Sequence, residues 1–147
     1  MARNINNEVV DDVLHVERIV HRNILRGGLA GVDKQISRPL FLIMSALRSH
    51  GTMRVSEIGK LLLIPKPQMT HLIDKLYAMN MVERRPDVKD RRITNVALTE
   101  DGAANLEVYR KVLRTNIKKK LSALESNELE ELDVALKKIR EFEKKLR

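Results

Sequence analysis

Cysteine is absent from the 147 residues. That one absence removes disulfides, thiolate nucleophiles, thiol redox sensing and Cys-type zinc sites. Tryptophan is also absent, and aromatic residues make up only 3% of the chain. So few rings argue against a stacking platform for single-stranded nucleic acid, which needs exposed aromatics. They also leave little material for an aromatic-lined sugar or cofactor pocket, and no cofactor is expected. No apolar run is long enough to cross a bilayer. Asn4, Asn6, Asn7, Glu8, Asp11 and Asp12 interrupt the first residues, which therefore do not read as a secretory leader. The expectation is a cytoplasmic protein with no membrane partner. No Ser-His-Asp order with a supporting motif, paired-carboxylate frame or phosphate loop stands out, so there is no catalytic candidate. His15 and His21 fall on different helix faces, and His50 and His71 lack a ligand-spaced partner, so no metal site is expected.

What is present fits a soluble globular chain: 43% hydrophobic and 33% charged residues, in a length typical of one domain. Lys and Arg total 28 against 20 Asp and Glu, a formal net charge of +8. That balance favours a polyanionic partner, nucleic acid or an acidic membrane surface; a merely solubilising surface is the other reading.

Apolar residues at Val9, Val13, Val16, Val20 and Ile24 predict a helix over about 6–26, ended by Gly27, Gly28 and Gly31. A second helix is predicted from near Pro39 to Ser49, with Leu40, Ile43, Met44 and Leu47 inward. A short helix over about 56–63 follows. Pro65 excludes helical dihedrals at Ile64, so a turn falls at Ile64-Pro65-Lys66. The next helix starts near Pro67 and buries Met69, Leu72, Ile73 and Leu76. The period then changes: Met81 to Arg85 reads as a strand, Pro86 to Asp90 as a turn, and Arg92 to Leu98 as the returning strand. Thr99 is a good N-cap for a long helix beginning with Glu100 and Asp101. A break at Glu125-Ser126-Asn127 leads to a last helix.

Helix, turn, helix and basic hairpin together make a winged helix-turn-helix, with the helix from Lys66 as the reading element. Its outward face carries Pro67, His71, Asp74 and Ala78, flanked by Gln68, Thr70 and Lys75. Gln68, Thr70 and His71 are candidates for base edges, and Lys66 and Lys75 for phosphates. A solvated surface histidine is the alternative for His71, and contact with phosphates alone, or with nothing, is the alternative for Gln68 and Thr70. Asp74 would repel phosphate; it either reads a cytosine amino group or pairs with a neighbouring Lys or Arg. The hairpin adds Arg84, Arg85, Lys89, Arg91 and Arg92, broken by Asp87 and Asp90. Arginine at a thin tip can enter a narrow minor groove and read A·T-rich shape. A carboxylate beside it makes sense as a bidentate partner that fixes its side chain.

Ser56-Glu57-Ile58-Gly59-Lys60-Leu61, Thr70-His71-Leu72-Ile73-Asp74-Lys75-Leu76 and Met81-Val82-Glu83-Arg84 resemble the MarR family, the multiple-antibiotic-resistance-type repressors. The most specific match is Asp90-Arg91-Arg92 followed by Leu98-Thr99-Glu100-Asp101-Gly102, the family's Asp-x-Arg to Leu-Thr-x-x-Gly spacing. The resemblance implies a mainly α fold with a small β-wing: a winged helix-turn-helix over 36–98, flanked by dimerisation helices at 1–30 and 103–147, in one chain of 1–147. It implies a homodimeric regulator, a repressor, of pseudo-palindromic double-stranded DNA. Its wing arginine is here Arg92, with Asp90 as partner carboxylate. Gly59 departs from the usual Ala and weakens its helix slightly. Pro65 and Pro67 stand where Ser, Thr or Gly is commoner.

The first helix and the last two carry more apolar surface than a winged domain of this size covers, and packing between two copies would bury it. Val9, Val13, Val16, Leu132, Leu136, Ile139 and Phe142 are the candidates; a monomeric helical cap is the alternative. The resemblance also implies a small-molecule effector, commonly an aromatic or phenolic anion, between stem and reading head. Arg18, Arg22 and Arg38 are cations that could meet its carboxylate. The rival reading is a winged-helix architectural protein that coats nucleic acid without sequence preference.

Overall fold

A computed structural model describes residues 6–90 and 92–146; the expectation for Arg91 lies outside them. It is mainly helical with one small antiparallel sheet. Six α-helices span Asn7–Ile19 (α1), Arg38–His50 (α2), Val55–Leu62 (α3), Lys66–Ala78 (α4), Glu100–Leu121 (α5) and Ser126–Leu146 (α6). The strands are Met53–Arg54 (β1), Val82–Pro86 (β2) and Thr94–Leu98 (β3). The chain divides into two compact units, one of Leu29–Leu113 and one made of the segments before and after it.

In the unit of Leu29–Leu113 the core is apolar throughout. Leu40, Ile43, Met44 and Leu47 of α2 meet Ile58 of α3, Met69, Ile73 and Leu76 of α4, Val82 and Val96 of the sheet, and Leu106 of α5. Each such side chain, fully withdrawn from water, contributes about 1.5–3 kcal/mol. α3 ends at Leu62 because Leu63 turns left-handed, at φ 55° and ψ 39°. Ile64 and Pro65 then carry the chain into α4, the turn that Pro65 requires.

One feature corrects the sequence reading and a second adds to it. The sheet has three strands and not two, in the order β1-β3-β2, with Met53 opposite Val96 and Arg54 opposite Asn95. A two-residue strand has no period of its own; its pairing with β3 creates it. Gly59, read as a weak point of α3, is buried where a Cβ would lie 3.1 Å from both the Ile64 carbonyl oxygen and Met69 Cγ. Its lack of a side chain lets the turn and α4 close onto α3.

α5 begins at a tight junction with the end of α4. The Met81 N–H donates to the Leu76 carbonyl at 2.9 Å, and the Thr99 N–H to the Met81 carbonyl at 3.1 Å. Thr99 Oγ1 accepts the Gly102 N–H at 2.9 Å, the N-cap expected of it, and donates to the Asn80 carbonyl at 2.6 Å.

In the other unit, α1 is capped by Asn6, whose Oδ1 accepts the Glu8 N–H at 3.1 Å. Where the sequence predicts one helix to residue 26, α1 passes into a π-helical turn, Val20–Leu25. Asn116 Nδ2 donates to the Gly28 carbonyl at 2.9 Å and Lys120 Nζ to the Arg26 carbonyl at 2.8 Å, which satisfies backbone acceptors where that turn ends. Neither α1 nor α6 buries a single residue fully. Among the described residues no helix is long and apolar enough to cross a membrane, and no group of His, Asp and Glu is arranged to hold a metal ion.

Candidate nucleic-acid interface

α4 divides cleanly into two faces because its apolar residues recur at steps of three and four. Met69, Leu72, Ile73 and Leu76 are buried, while Gln68, Thr70, His71, Asp74 and Lys75 are exposed on the other side. Lys66 and Pro67 open the helix, where proline's missing N–H costs nothing. Thr70 Oγ1 donates to the Lys66 carbonyl at 3.2 Å, so its hydroxyl keeps acceptor capacity toward solvent.

Beside α4 stands the wing, β2 and β3 in antiparallel register with Val82 opposite Leu98 and Pro86 opposite Thr94. Its turn is built by Asp87. Asp87 Oδ1 accepts the N–H groups of Lys89 at 2.9 Å and Asp90 at 3.2 Å, and Oδ2 accepts Asn95 Nδ2 at 3.3 Å. Arg54 approaches the same carboxylate at 3.8 Å. These donors hold the Asp87 carboxyl below the ordinary carboxylate range, the Lys89 and Asp90 N–H groups first, then the Asn95 amide and the Arg54 charge. The sequence reading places Asp87 in the turn and as a break in the basic run, without assigning its carboxylate these bonds. The signal was present in its position just after Pro86, a place where Asp commonly folds back on its own backbone.

Asp90 and Arg92 meet through the main chain: Asp90 Oδ1 accepts the Arg92 N–H at 2.9 Å. The carboxylate thus shapes the turn that presents Arg92, where the sequence reading had it grip the guanidinium. Arg84 and Arg85 differ from Lys89 and Arg92 in their surroundings. Arg84 Nη2 is bonded to Asp74 Oδ1 of α4, and Arg85 Nε to Glu83 Oε1 at 2.8 Å. Asp74 therefore takes the second of its two expected roles, with Arg84 as the partner. Between α4 and the wing lies an open groove of about 970 Å³, lined by Lys66, Thr70, Asp74, Arg84 and Arg92 among others.

The remaining expected residues fall elsewhere. Val9, Val13 and Val16 on α1 and Leu136, Ile139 and Phe142 on α6 are exposed, and Leu132 is half-buried. Arg18 is on α1, Arg22 is in the π-helical turn with its Nε donating to Asn23 Oδ1 at 3.3 Å, and Arg38 opens α2. Arg18 and Arg22 belong to one unit and Arg38 to the other.

Residues 36–94, which hold α2, the helix-turn-helix and the wing up to the start of β3, match the MarR family model. Over these residues the chain is similar to the MarR family. The chain is 31% identical over 80 residues to the HTH-type transcriptional repressor MdtR of Bacillus subtilis (strain 168), an overlap covering 54% of this chain. The overlap spans 52% of MdtR, about half its length. Wild-type MarR of E. coli in its apo form superposes with a TM-score of 0.74 at 25% identity, covering 88% of this chain and 95% of that one. A cysteine-to-serine E. coli MarR mutant complexed with operator DNA superposes at 0.67 with 24% identity, over 90% of this chain and 96% of that one. These relatives are regulators and DNA binders by name, not enzymes.

Proposed function

We propose that this chain is a sequence-specific transcriptional regulator of the MarR family, a repressor, that binds pseudo-palindromic double-stranded DNA as a homodimer. One observation carries the reading: α4 presents Gln68, Thr70 and His71 to solvent opposite a fully apolar buried face, with the Arg92 wing alongside. A helix with that polar edge fits a major groove, where amide and imidazole groups can discriminate bases. Lys66 and Lys75 flank it as phosphate contacts, and Lys89, Arg91 and Arg92 give the wing its charge. A wing arginine beside a major-groove helix suits the adjacent minor groove, which is electronegative where it is narrow.

The homodimer is supported by the exposed apolar residues of α1 and α6. Val13 is 63% exposed, Ile139 54% and Phe142 47%. Apolar side chains exposed in this way are costly in water and are covered when two copies pair about a two-fold axis. Release by a small aromatic anion, met by Arg18, Arg22 or Arg38, completes the reading; a ligand that prefers one arrangement of the dimer would shift it away from the spacing the operator requires.

Selection from a random duplex pool tests the whole. The expected product is a pseudo-palindrome whose half-sites lie about one helical turn, 34–36 Å, apart. Enrichment of no sequence, with retention set only by salt, would favour the architectural reading instead.

A further inference from the structure

We propose that Asp74, Arg84 and Tyr77 form a clamp that sets the angle of the wing against the reading helix, and that Arg84 is a positioning residue. The inference rests on the DNA-binding reading for its consequence, though not for its geometry. Side chains alternate along a strand, so Val82 and Arg84 share one face of β2. Val82 is buried in the core, but every residue of the strand from Arg84 outward is exposed. The outer wing therefore leaves the apolar interior, and side chains must hold it to α4. Arg84 does so twice. Its Nη2 donates to Asp74 Oδ1, and its guanidinium lies 5.1 Å from the centroid of the Tyr77 ring. Asp74 and Tyr77 are three residues apart on α4, so they border the same strip of helix surface.

The contact explains two otherwise awkward residues. A bare carboxylate at position 74 would stand among base- and phosphate-facing groups and repel DNA; paired with Arg84 it does not. Tyr77 is 54% exposed and covers no core, yet its ring supplies a flat seat for the guanidinium. Exposed pairs of this kind add little to stability. What the clamp provides is direction: with β2 fixed on α4, one docking can place Gln68, Thr70 and His71 in the major groove and Arg92 in the minor groove.

Two substitutions test it, using the full chain and a duplex selected by the parent protein. If Asp74 only repels phosphate, Asp74→Asn strengthens binding to every duplex. The clamp requires the reverse: Asp74→Asn weakens the selected duplex about tenfold, a common size for coupling between contacting residues, and leaves a scrambled duplex unweakened. Arg84→Gln should match it, the double variant should be no worse than either, and the slope of affinity against salt should hold. Arg84→Lys keeps the charge but loses the planar fork, so it should not rescue. A slope smaller by about one in Arg84→Gln, restored in Arg84→Lys, would make Arg84 a phosphate contact and overturn the proposal. NMR tests the clamp without DNA. In the parent, ring currents from Tyr77 should shift the Arg84 side-chain protons upfield, and Asp74→Asn should abolish that shift. An unchanged shift overturns the clamp even if DNA binding proves absent; a lost shift with no sequence-specific parent binding refutes only the DNA reading. Tyr77→Leu gives a second route should Asp74→Asn fold poorly: it must weaken the selected duplex in the same sense, and unchanged binding would overturn the proposal.

Discussion

A Cβ built on Gly102 would lie 2.0 Å from the carbonyl oxygen of Met81 and 2.8 Å from its carbonyl carbon. The obstacle is backbone, and that backbone is itself held, because the Met81 carbonyl accepts the Thr99 N–H and the Met81 N–H is bonded to Leu76. Gly102→Ala must therefore separate the start of α5 from the end of α4. The expected cost is about 2–3 kcal/mol, the upper part of the range for overpacking, because the obstacle is backbone. Urea unfolding checks it, with Gly59→Ala as the contrast. There the nearest atoms, the Ile64 carbonyl oxygen and Met69 Cγ, lie at 3.1 Å and need give only a few tenths of an ångström, and the gain in helix propensity, about 1 kcal/mol, opposes the crowding. Gly59→Ala should stay within about 1 kcal/mol of the parent.

Asp87 links wing order to pH. Its folded carboxyl titrates below the ordinary value of 3.8, chiefly because the Lys89 and Asp90 N–H groups bond the charged form. A depressed carboxyl contributes stability that is complete above the ordinary value and is lost as pH falls through the folded one. The wing turn should hold its order down to about pH 4 and loosen only in stronger acid. Amide exchange at Lys89 and Asp90 reads this directly. Asp87→Ala should show fast exchange at both amides at neutral pH, with the core of α2 and α4 unaffected.

The apolar residues of α1 and α6 give an assembly prediction. A charge at Val13 or Ile139 should convert a dimer into a monomer at micromolar concentration by light scattering. The parent protein running as a monomer under the same conditions would refute the shared stem.

Much of this arrangement is legible in the sequence. The register of α4 is, because Met69, Leu72, Ile73 and Leu76 repeat at helical spacing, and the hairpin is, because the period changes at Met81. Thr99 and Pro65 declare their roles by local chemistry, an N-cap and a helix stop. What is not legible depends on tertiary approach. β1 exists only by pairing with β3. Gly59 and Gly102 matter for what they allow to come near, and a sequence does not show that neighbour. The choice of Arg84 as the partner of Asp74 follows from where β2 passes α4. The π-helical turn at Val20–Leu25 has no local signature to separate it from the α-helix it continues.

The wing and the helix should fail differently. Gln68→Ala and His71→Ala should relax preference at single base positions by about 1–3 kcal/mol each. Arg92→Ala should instead reduce preference for A·T-rich flanks. Selection with each variant separates the two patterns, and Arg92→Ala binding as the parent does would remove the wing from the reading mechanism.

Fluorescence anisotropy of the purified protein, against the DNA upstream of its own gene and a scrambled duplex of equal length at two salt concentrations, tests the central claim most directly. A regulator that reads sequence should prefer its own DNA by about a thousandfold or more, and the gap should survive the higher salt. Equal affinities that collapse together as salt rises would contradict it and leave a basic winged helix that coats DNA without reading it.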